Sequence, residues 1–357
     1  MTKKIIFSTG GTGGHILPAI NLMKHFLDKK FNVLIVTDNK GSNFLKNYPN
    51  FKSYILKSST PTNKNFLKKI LSCFLILYSI IKSIIILKKE KPDLIFGFGG
   101  YVSFPVSLAS KFFNIPLIIY ENNMLLGRAN RYLLPISKKI LFTKKISENL
   151  PKKYKNKAYN VGDILNKNII NQQSYKKNDK NFSILVLGGS QGAEIFGTII
   201  PTVVKMIKDS GCKVKINQQC LKIQKKLIEN FYNENNIENY VFNFEKDILK
   251  LLLSSNLAIT RCGAATTAEL FHTRTPFIAI PLPNSIDNHQ YLNAKYYEKK
   301  GCCLLLEQSN LNTQSLFNLI METINKKNKL ENICENMKKN NNENVYTNIE
   351  KIIKDYI

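Results

Sequence analysis

The stretch from Phe7 to His15 constrains the fold most strongly, because it places four glycines in five positions directly after a short apolar run. The run Ile5–Phe7 predicts a buried strand, and the spacing of apolar residues between Pro18 and Leu27 predicts a helix. Glycine accepts positive φ values and lets backbones approach closely. A strand, a glycine turn and a helix together present N–H groups to an anion, although a plain tight turn would show the same pattern.

A second stretch of the same kind lies in the second half of the chain, where Ile184–Leu187 leads into Gly188–Gly192 and a helical pattern follows. Two such openings indicate two Rossmann-like halves. The length of 357 residues also exceeds what one hydrophobic core usually serves. We therefore predict an α/β protein with two domains, at residues 1–160 and 182–340. The connection is predicted at 161–181, and a C-terminal helix at 341–357 can pack on either domain.

Apolar runs separated by helical patterns predict the parallel strands of both halves. In the first half the runs are Phe31–Val36, Phe51–Leu56, Asp93–Gly97, Ile115–Tyr120 and, as the last strand, Lys139–Phe142. In the second half they are Ile184–Leu187, Lys213–Asn217, Tyr240–Phe242, Leu257–Thr260, Phe277–Ile280 and Cys303–Leu306.

The net charge of +27 is explained by a lysine excess of the kind that AT-rich coding produces. Nucleic-acid recognition relies more on arginine, whose planar fork pairs with phosphate and guanine. The chain contains four arginines, namely Arg128, Arg131, Arg261 and Arg274. We therefore predict no nucleic-acid partner, and instead an anionic surface or a phosphate-bearing substrate.

Cysteine and histidine usage predicts no metal site. The seven cysteines show no CxxC spacing, and only four histidines are present. Such thiols are typical of reduced cytosolic proteins. The N-terminus lacks an uninterrupted apolar segment before the glycines, so no secretory signal is predicted.

The segment Phe66–Leu87 is the most apolar part of the chain and is long enough to span a bilayer as a helix. Lys68, Lys69 and Lys82 interrupt it, and a predicted strand of the same sheet follows at once. A membrane span would split that domain. We predict a helix that lies on a membrane surface; a buried helix and a true span are the alternatives.

Polar residues follow several predicted strands, where ligands bind in parallel sheets. The first half contributes the glycine turn Gly97–Tyr101 and the polar run Glu121–Asn123. In the second half, small residues at Ala264–Ala268 predict a loop pressed against a ligand. Glu269 is predicted on the first turn of a helix at Thr266–Phe271, where it suits vicinal hydroxyls. The alternative is a capping box with Thr266. Polar side chains at the end of Pro281–Gln290 suit a sugar.

Six sequence blocks, in order GGTGGH, FGFGGYVSFP, YENN, GGSQGA, RCGAATTAEL and DNHQYLNA, make the chain resemble the MurG family over nearly its whole length. The resemblance implies a GT-B fold, with two Rossmann-like domains whose parallel sheets face across a cleft. It implies an inverting transfer of N-acetylglucosamine from UDP-N-acetylglucosamine to the 4-hydroxyl of lipid I, which forms lipid II in peptidoglycan synthesis. It further implies no cofactor or metal, and a peripheral position on the cytoplasmic face of the bacterial inner membrane through residues 66–91.

The same resemblance implies roles for individual residues. Glu269 would hold the ribose hydroxyls, Ser190 the diphosphate and Gln290 the sugar, while the backbone near Glu245 would meet the uracil. The residues implied in UDP-N-acetylglucosamine binding are Thr12, Gly13, Gly14, Asn123, Asn166, Ser190, Glu245, Ala264, Ala265, Thr266, Thr267, Ala268, Glu269 and Gln290. Gly11, Tyr101 and His15 would lie on the acceptor side.

Departures from the family pattern concern the donor site. The family has Val-Gly-Asn-Pro-Val-Arg where this chain ends the motif with Asn166, so an arginine is missing, and Lys167 is the nearest substitute. The paired glutamines of the family appear as His289 and Gln290.

The transfer needs a base and a positive potential for the departing diphosphate. His15 is the candidate base, and a structural histidine at a helix start is the alternative. Two helix N-termini and Arg261 are the candidates for the positive potential.

Three other functions are compatible with parts of the pattern. A nicotinamide oxidoreductase would use the first glycine loop and an acid after the second strand, where Asp38 stands. A glycosyltransferase acting on diacylglycerol would share the fold. A non-enzymatic membrane-binding or nucleic-acid-binding protein would leave all six blocks without a role.

Overall fold

The computed structural model describes residues 2–11, 13–46, 48–57, 66–144, 146, 148–170, 181–189, 192–245, 247–340 and 344–357. The chain forms two compact units, which we call unit 1 (Met1–Leu165 with Asn342–Ile357) and unit 2 (Asn166–Asn341). Thr12 and Ser190, two of the candidate site residues, lie outside the described residues.

Unit 1 is built on a parallel sheet of seven strands in the order β3-β2-β1-β4-β5-β6-β7. The strands are β1 Lys4–Ser8, β2 Asn32–Thr37, β3 Lys52–Ile55, β4 Leu94–Gly97, β5 Leu117–Glu121, β6 Lys139–Phe142 and β7 Ala158–Asn160. The helices are α1 Gly13–Asp28, α2 Asn39–Leu45, α3 Phe66–Glu90, α4 Ser103–Ala109 and α5 Arg128–Leu133. The central strands are buried on both faces, which explains their continuous apolar runs.

The prediction that Lys139–Phe142 is the last strand of this half is wrong, because β7 pairs with it in parallel register. Two residues of β7 are partly exposed and Asn160 is exposed, so no apolar run marks the strand in the sequence. Unit 1 also continues to Leu165, beyond the predicted boundary at residue 160.

Unit 2 is built on a parallel sheet of six strands in the order β10-β9-β8-β11-β12-β13. The strands are β8 Phe182–Leu187, β9 Val214–Gln219, β10 Glu238–Phe242, β11 Leu257–Thr260, β12 Phe277–Ala279 and β13 Leu304–Leu305. The helices are α6 Lys167–Ile170, α7 Glu194–Asp209, α8 Lys225–Glu234, α9 Ile248–Ser254, α10 Ala264–His272, α11 His289–Lys299, α12 Thr313–Asn325 and α13 Lys327–Lys339. The prediction of two α/β domains with parallel sheets is confirmed.

The last helix, α14 (Val345–Ile353), belongs to unit 1 and settles the alternative that the sequence leaves open. Glu350 accepts from His25 Nε2 at 2.8 Å, and the rings of His25 and Tyr346 lie 4.5 Å apart. The Tyr346 hydroxyl donates to the carbonyl of Leu165 at 2.5 Å. Ring contact and hydrogen bonds thus fix α14 on α1 and on the end of unit 1.

Helix α3 exposes an apolar face and buries a face that carries serines, the opposite of a usual surface helix. Its buried face carries Ser72, Ser79 and Ser83, and the Ser79 hydroxyl donates to the Lys57 carbonyl at 2.6 Å. Its outward face carries large apolar side chains that are 40–65% exposed, namely Ile70, Leu71, Phe74, Leu77, Tyr78, Ile81 and Ile85. Length and composition would also let residues Ile70–Glu90 cross a membrane. The alternative of an ordinary buried helix is wrong.

Candidate functional site

The loops after β1 and β4 pack backbone against backbone at the carboxyl edge of the unit 1 sheet. Gly10 N–H donates to the Gly99 carbonyl at 3.1 Å. A Cβ on Gly100, whose φ is 78°, would lie 2.7 Å from Gly10 Cα, and one on Gly10 would lie 2.9 Å from Gly100 Cα. Only glycine fits at both positions, so the two glycine motifs of the first half form one surface.

Asp38 holds the first glycine loop in place. One carboxylate oxygen accepts from Gly41 N–H at 2.8 Å, which caps α2, and the other accepts from Gly11 N–H at 3.3 Å. Because both oxygens are bonded to backbone, this carboxylate is not presented to the ribose of a dinucleotide. The oxidoreductase interpretation therefore loses its acidic residue.

His15 lies on the first turn of α1 and is half-buried. Its ring faces the glycine turn after β4, since a Cβ on Gly99 would lie 3.4 Å from His15 Cε1. Tyr101, also half-buried, comes two residues before α4. The structure therefore brings His15 to the surface that Gly10 and Gly100 form.

Glu121 organises the polar residues that follow β5. Its carboxylate accepts from the Asn123 backbone N–H at 3.1 Å and side-chain amide at 3.2 Å, from Gly127 N–H at 2.8 Å and from the Asn130 amide at 3.0 Å. The Asn122 amide donates to the Gly14 carbonyl at the start of α1. Sequence reasoning treats Glu121 only as a polar group at a strand end. A carboxylate that directly follows a buried strand is the signal that would have marked it as an organising residue.

The described glycines of the loop after β8, in unit 2, make similarly close contacts. Gly189 and Gly192 adopt φ values of 80° and 73°. A Cβ on Gly188 would lie 2.6 Å from Ala193 N, and one on Gly192 would lie 2.6 Å from Leu221 Cδ2. The loop therefore needs glycine for both conformation and space, and α7 begins directly after it.

Arg261, the candidate for the positive potential, is held by hydrogen bonds within unit 2. The guanidinium donates to the carbonyls of Ile280 and Pro281 at 3.2 Å each and to Gln308 Oε1 at 2.5 Å. It also lies over the Phe196 ring, 4.8 Å from the centroid, and the residue is 6% exposed. These bonds hold the guanidinium in a fixed position on the segments that contain Ile280, Pro281 and Gln308.

Glu269 sits on the second turn of its helix, because α10 begins at Ala264 and not at Thr266. Gly263 is the N-cap and makes no side-chain cap, so the capping-box alternative is wrong. No hydrogen bond or ion pair joins the Glu269 carboxylate to any residue that the structure describes. Burial raises the pKa of this carboxyl from 4.5 to about 7. An unpaired, desolvated carboxylate is a group that a ligand can satisfy.

The small residues around Glu269 divide into two sets. Ala265 and Thr266 are partly exposed beside Glu269, one turn earlier on the helix. Ala264, Thr267 and Ala268 are buried, and the Thr267 hydroxyl donates to the Gly263 carbonyl at 3.0 Å. Within this block only the first set offers side chains to a ligand.

Gln290 joins two loops of unit 2. Its Oε1 accepts from Cys262 N–H at 3.1 Å and from Leu282 N–H at 3.0 Å. The buried Asn293 amide donates to the Cys262 carbonyl at 3.1 Å, so α11 holds both sides of that residue. The loop that opens α10 is thereby fixed to the first turn of α11.

Two further candidates have structural partners. The Asn166 side chain accepts from Asn168 N–H at 3.0 Å at the start of α6, a helix that packs against α10. The Glu245 carboxylate accepts from the Tyr240 hydroxyl and from Asp247 N–H, each at 2.8 Å. The described parts of the chain contain no group of three His, Cys, Asp or Glu residues that could hold a metal ion.

Comparison with known proteins identifies both units. Residues 5–142 match the glycosyltransferase family 28 N-terminal domain, and residues 183–352 match the corresponding C-terminal domain. A Pelagibacter ubique protein named UDP-N-acetylglucosamine--N-acetylmuramyl-(pentapeptide) pyrophosphoryl-undecaprenol N-acetylglucosamine transferase is 38% identical over 99% of this chain and 98% of its own length. A Rickettsia bellii protein of the same name is 34% identical over 96% of both chains. The crystal structure of Acinetobacter baumannii MurG has a TM-score of 0.80 at 23% identity and covers 99% of this chain and 100% of that one.

Proposed function

Since the chain belongs to glycosyltransferase family 28, we propose that it transfers N-acetylglucosamine from UDP-N-acetylglucosamine to the 4-hydroxyl of the muramoyl sugar of lipid I. The product is lipid II of peptidoglycan synthesis. The single observation that carries the donor assignment to particular residues is the unpaired carboxylate of Glu269 beside the compact loops of unit 2.

Unit 2 supplies the donor side. The ribose hydroxyls donate to the ionised Glu269 carboxylate, which has no other partner in the described chain. The N-termini of α7 and α10 follow glycine-containing loops, so their free N–H groups stabilise the negative diphosphate. Arg261 adds positive charge without a direct hydrogen bond. No metal ion is needed for this stabilisation.

Unit 1 supplies the acceptor side. The acceptor's 4-hydroxyl oxygen attacks the anomeric carbon while the bond from that carbon to the UDP oxygen breaks, which inverts the configuration. His15 takes the hydroxyl proton, and the departing UDP keeps the bonding electron pair. Gly11 and Tyr101 belong to the two glycine loops that pack together, and we assign them to the same acceptor side as His15. Glu121 fixes the position of Asn123, the other candidate of this unit.

A first experiment separates this function from its rivals. Full-length protein is incubated with UDP-N-acetylglucosamine and either a lipid I analogue or diacylglycerol, and the products are identified by mass spectrometry. Transfer to the lipid I analogue alone is the expected result. Transfer to diacylglycerol alone would contradict the proposal. In calorimetry we expect binding of UDP-N-acetylglucosamine and none of NADH.

We also infer that α3 attaches the enzyme to the surface of the bacterial inner membrane. The apolar face of α3 points away from unit 1, and Lys82, Lys88 and Lys89 on the same helix are exposed. Apolar insertion and attraction of lysines to anionic lipids, about 1 kcal/mol for each lysine, add in such a helix.

Phe74→Glu combined with Leu77→Glu tests this attachment on vesicles that contain anionic lipid. Wild-type binding should fall with salt, and the double variant should lose most of it. Ile223→Glu is the matched control, because Ile223 is an apolar residue of unit 2 that is 85% exposed. Equal losses in both variants would contradict a specific role of α3. Protein that stays with the membrane after an alkaline carbonate wash would indicate a true span.

A further inference from the structure

The first helix of unit 1 carries a proline in its second turn. Helix α1 runs from Gly13 to Asp28, and Pro18 lies buried inside it. In an α-helix the carbonyl of Gly14 accepts from the N–H group four residues later, but that residue is Pro18, which has no N–H. The proline ring also crowds the same carbonyl. The backbone of α1 therefore lacks the regular donor for the Gly14 carbonyl.

Asn122 supplies a donor from another part of unit 1. A carbonyl oxygen only accepts, so the Asn122 amide presents Nδ2 to it and donates to the Gly14 carbonyl. Asn122 directly follows β5 and is 6% exposed, so this amide is shielded from water. The Thr143 hydroxyl, directly after β6, donates to the Asn122 carbonyl at 3.3 Å. Asn122 is thus held by the end of the sheet and in turn holds the start of α1.

The carbonyl that Asn122 holds belongs to the peptide bond that precedes His15. A peptide unit is planar, so the direction of the Gly14 carbonyl also sets the positions of His15 N and Cα. The preceding stretch Gly10–Gly14 contains four glycines, the residue type that restricts the backbone least. The His15 ring faces Gly99 in the turn after β4. A fixed carbonyl at Gly14 therefore defines the direction from which this ring projects.

We infer that Asn122 is a positioning residue for His15. Its amide takes the place of the N–H group that Pro18 lacks and thereby fixes the peptide unit that carries the His15 ring. In this role Asn122 acts through the backbone of α1. The inference rests on the proposed function, because it takes His15 as the base of the transfer.

The first test replaces Asn122 in the full-length protein. Asn122→Ala should lower the single-turnover rate of transfer to a lipid I analogue about 10- to 100-fold, because a displaced base is badly aligned with the hydroxyl. The dissociation constant of UDP-N-acetylglucosamine should not change, since unit 2 supplies the donor side. The pH profile should keep its acidic limb at a lower plateau, because His15 is still present.

Asn348→Ala is the matched control for this variant. The Asn348 amide also donates to a carbonyl distant in sequence within unit 1, that of Val161 at 3.4 Å. Its loss should lower the melting temperature and leave the turnover of folded protein unchanged. Asn122→Ala should differ from this control in turnover.

Pro18→Ala provides a rescue that a merely structural role of Asn122 would not predict. The substitution returns an N–H group that can donate to the Gly14 carbonyl within the helix. Asn122→Ala combined with Pro18→Ala should therefore regain most of the rate that Asn122→Ala loses. The combined variant should fold even if Asn122→Ala alone does not.

The peptide bond between Gly14 and His15 can be observed directly, because it is the only bond from a glycine to a histidine in the sequence. Isotope labelling of glycine carbonyl carbons and histidine backbone nitrogens therefore gives one NMR signal for this bond. Its carbonyl shift should move in Asn122→Ala and return towards the wild-type value in the combined variant.

Three results would overturn the inference while wild-type transfer still supports the proposed function. They are full turnover in folded Asn122→Ala, an unshifted Gly14 signal in that variant, and a combined variant that stays slow or unfolded although Pro18→Ala alone is active. If the wild type transfers no N-acetylglucosamine to the lipid I analogue, the proposed function fails and the inference fails with it.

Discussion

Glu121 is the last residue of β5 in unit 1 and Glu269 lies on α10, the helix that follows β11 in unit 2, and the surroundings of the two carboxylates differ. The Glu121 carboxylate accepts four hydrogen bonds and is 2% exposed. The Glu269 carboxylate has no bonding partner in the described chain, and its pKa is raised to about 7. A carboxylate that the protein satisfies serves the fold, whereas one that the protein leaves unsatisfied is kept for a ligand.

The same contrast extends to neighbouring groups. In unit 1, both carboxylate oxygens of Asp38 accept hydrogen bonds from backbone N–H groups, one in the glycine loop and one in α2. In unit 2, His289 Nδ1 and Gln290 Oε1 are hydrogen-bonded to backbone. The Nε2 atom of each side chain has no hydrogen-bond partner among the described residues. We expect the unit 1 surface to act through the placement of His15, and the unit 2 surface to act through direct contacts with the donor.

The largest expected effect concerns His15. His15→Ala should lower turnover about 10²–10⁴-fold, the contribution of a general base, while the dissociation constant of UDP-N-acetylglucosamine stays the same. Single-turnover transfer between pH 5.5 and 9 measures it, and the acidic limb of the wild-type profile should vanish. His25→Ala on the same helix is the control, and it should lower the melting temperature but not the turnover of folded protein. An acidic limb that survives in His15→Ala would make His15 a structural residue.

Replacing each of the two glutamates by glutamine tests whether Glu269 serves ligand binding and Glu121 serves stability. Glu269→Gln should weaken UDP binding by about 1.5–3 kcal/mol, as for a hydrogen bond to a charged group, with little loss of stability. Glu121→Gln should lower the free energy of unfolding by about 1–3 kcal/mol, because an amide cannot accept all four hydrogen bonds, and leave UDP affinity intact. Calorimetry and denaturant melts on both variants measure the four values. UDP affinity that is unchanged in Glu269→Gln would refute its ribose role.

Because the pKa of Glu269 is raised, both stability and ligand affinity should depend on pH through this residue. The folded protein holds this proton up to about pH 7, whereas a carboxyl of ordinary pKa loses it near 4.5. The contribution of Glu269 to stability therefore falls as pH rises from 4.5 to 7 and is constant above. The ribose hydroxyls are proposed to donate to the ionised carboxylate, so ligand affinity should rise as Glu269 loses its proton. Affinity for the P²-methyl ester of UDP, which has the charge of UDP-N-acetylglucosamine without its sugar, should rise over the same interval by up to about tenfold per pH unit. Glu269→Gln should abolish this slope, and a slope that remains would assign the titration to another group.

The smallest expected effect concerns Asn166. Asn166→Ala removes the side-chain acceptor at the start of α6 and should cost about 1 kcal/mol of stability. Asn166→Arg should show the same loss but bind UDP-N-acetylglucosamine more tightly, because the added charge supports the diphosphate. Denaturant melts and calorimetry on both variants separate the cap from the charge. Donor affinity that is equal in both would indicate that Lys167 or another group already fills this role.

The sequence determined the two glycine loops, the buried strands that precede them and the family. Parallel strands are buried on both faces and therefore read as apolar runs, and a close approach of backbones requires glycine. For this reason Lys139–Phe142, Leu257–Thr260 and the opening of each unit are found at or near their observed bounds. The three-residue strand β7 is not predicted, because its exposed and partly exposed edge residues form no apolar run.

Which polar groups lack a protein partner, and which face α3 exposes, follow from the packing of the whole fold. Spacing offered a capping box of Thr266 and Glu269 that the structure does not contain, and it could not show that the carbonyls of Ile280 and Pro281 accept from the Arg261 guanidinium. In α3 the apolar residues surround the helix in sequence, and only packing showed that the serines face inward. Hydrogen-bond partners distant in sequence and the face that a helix buries depend on the whole fold, so no local pattern of residues records them.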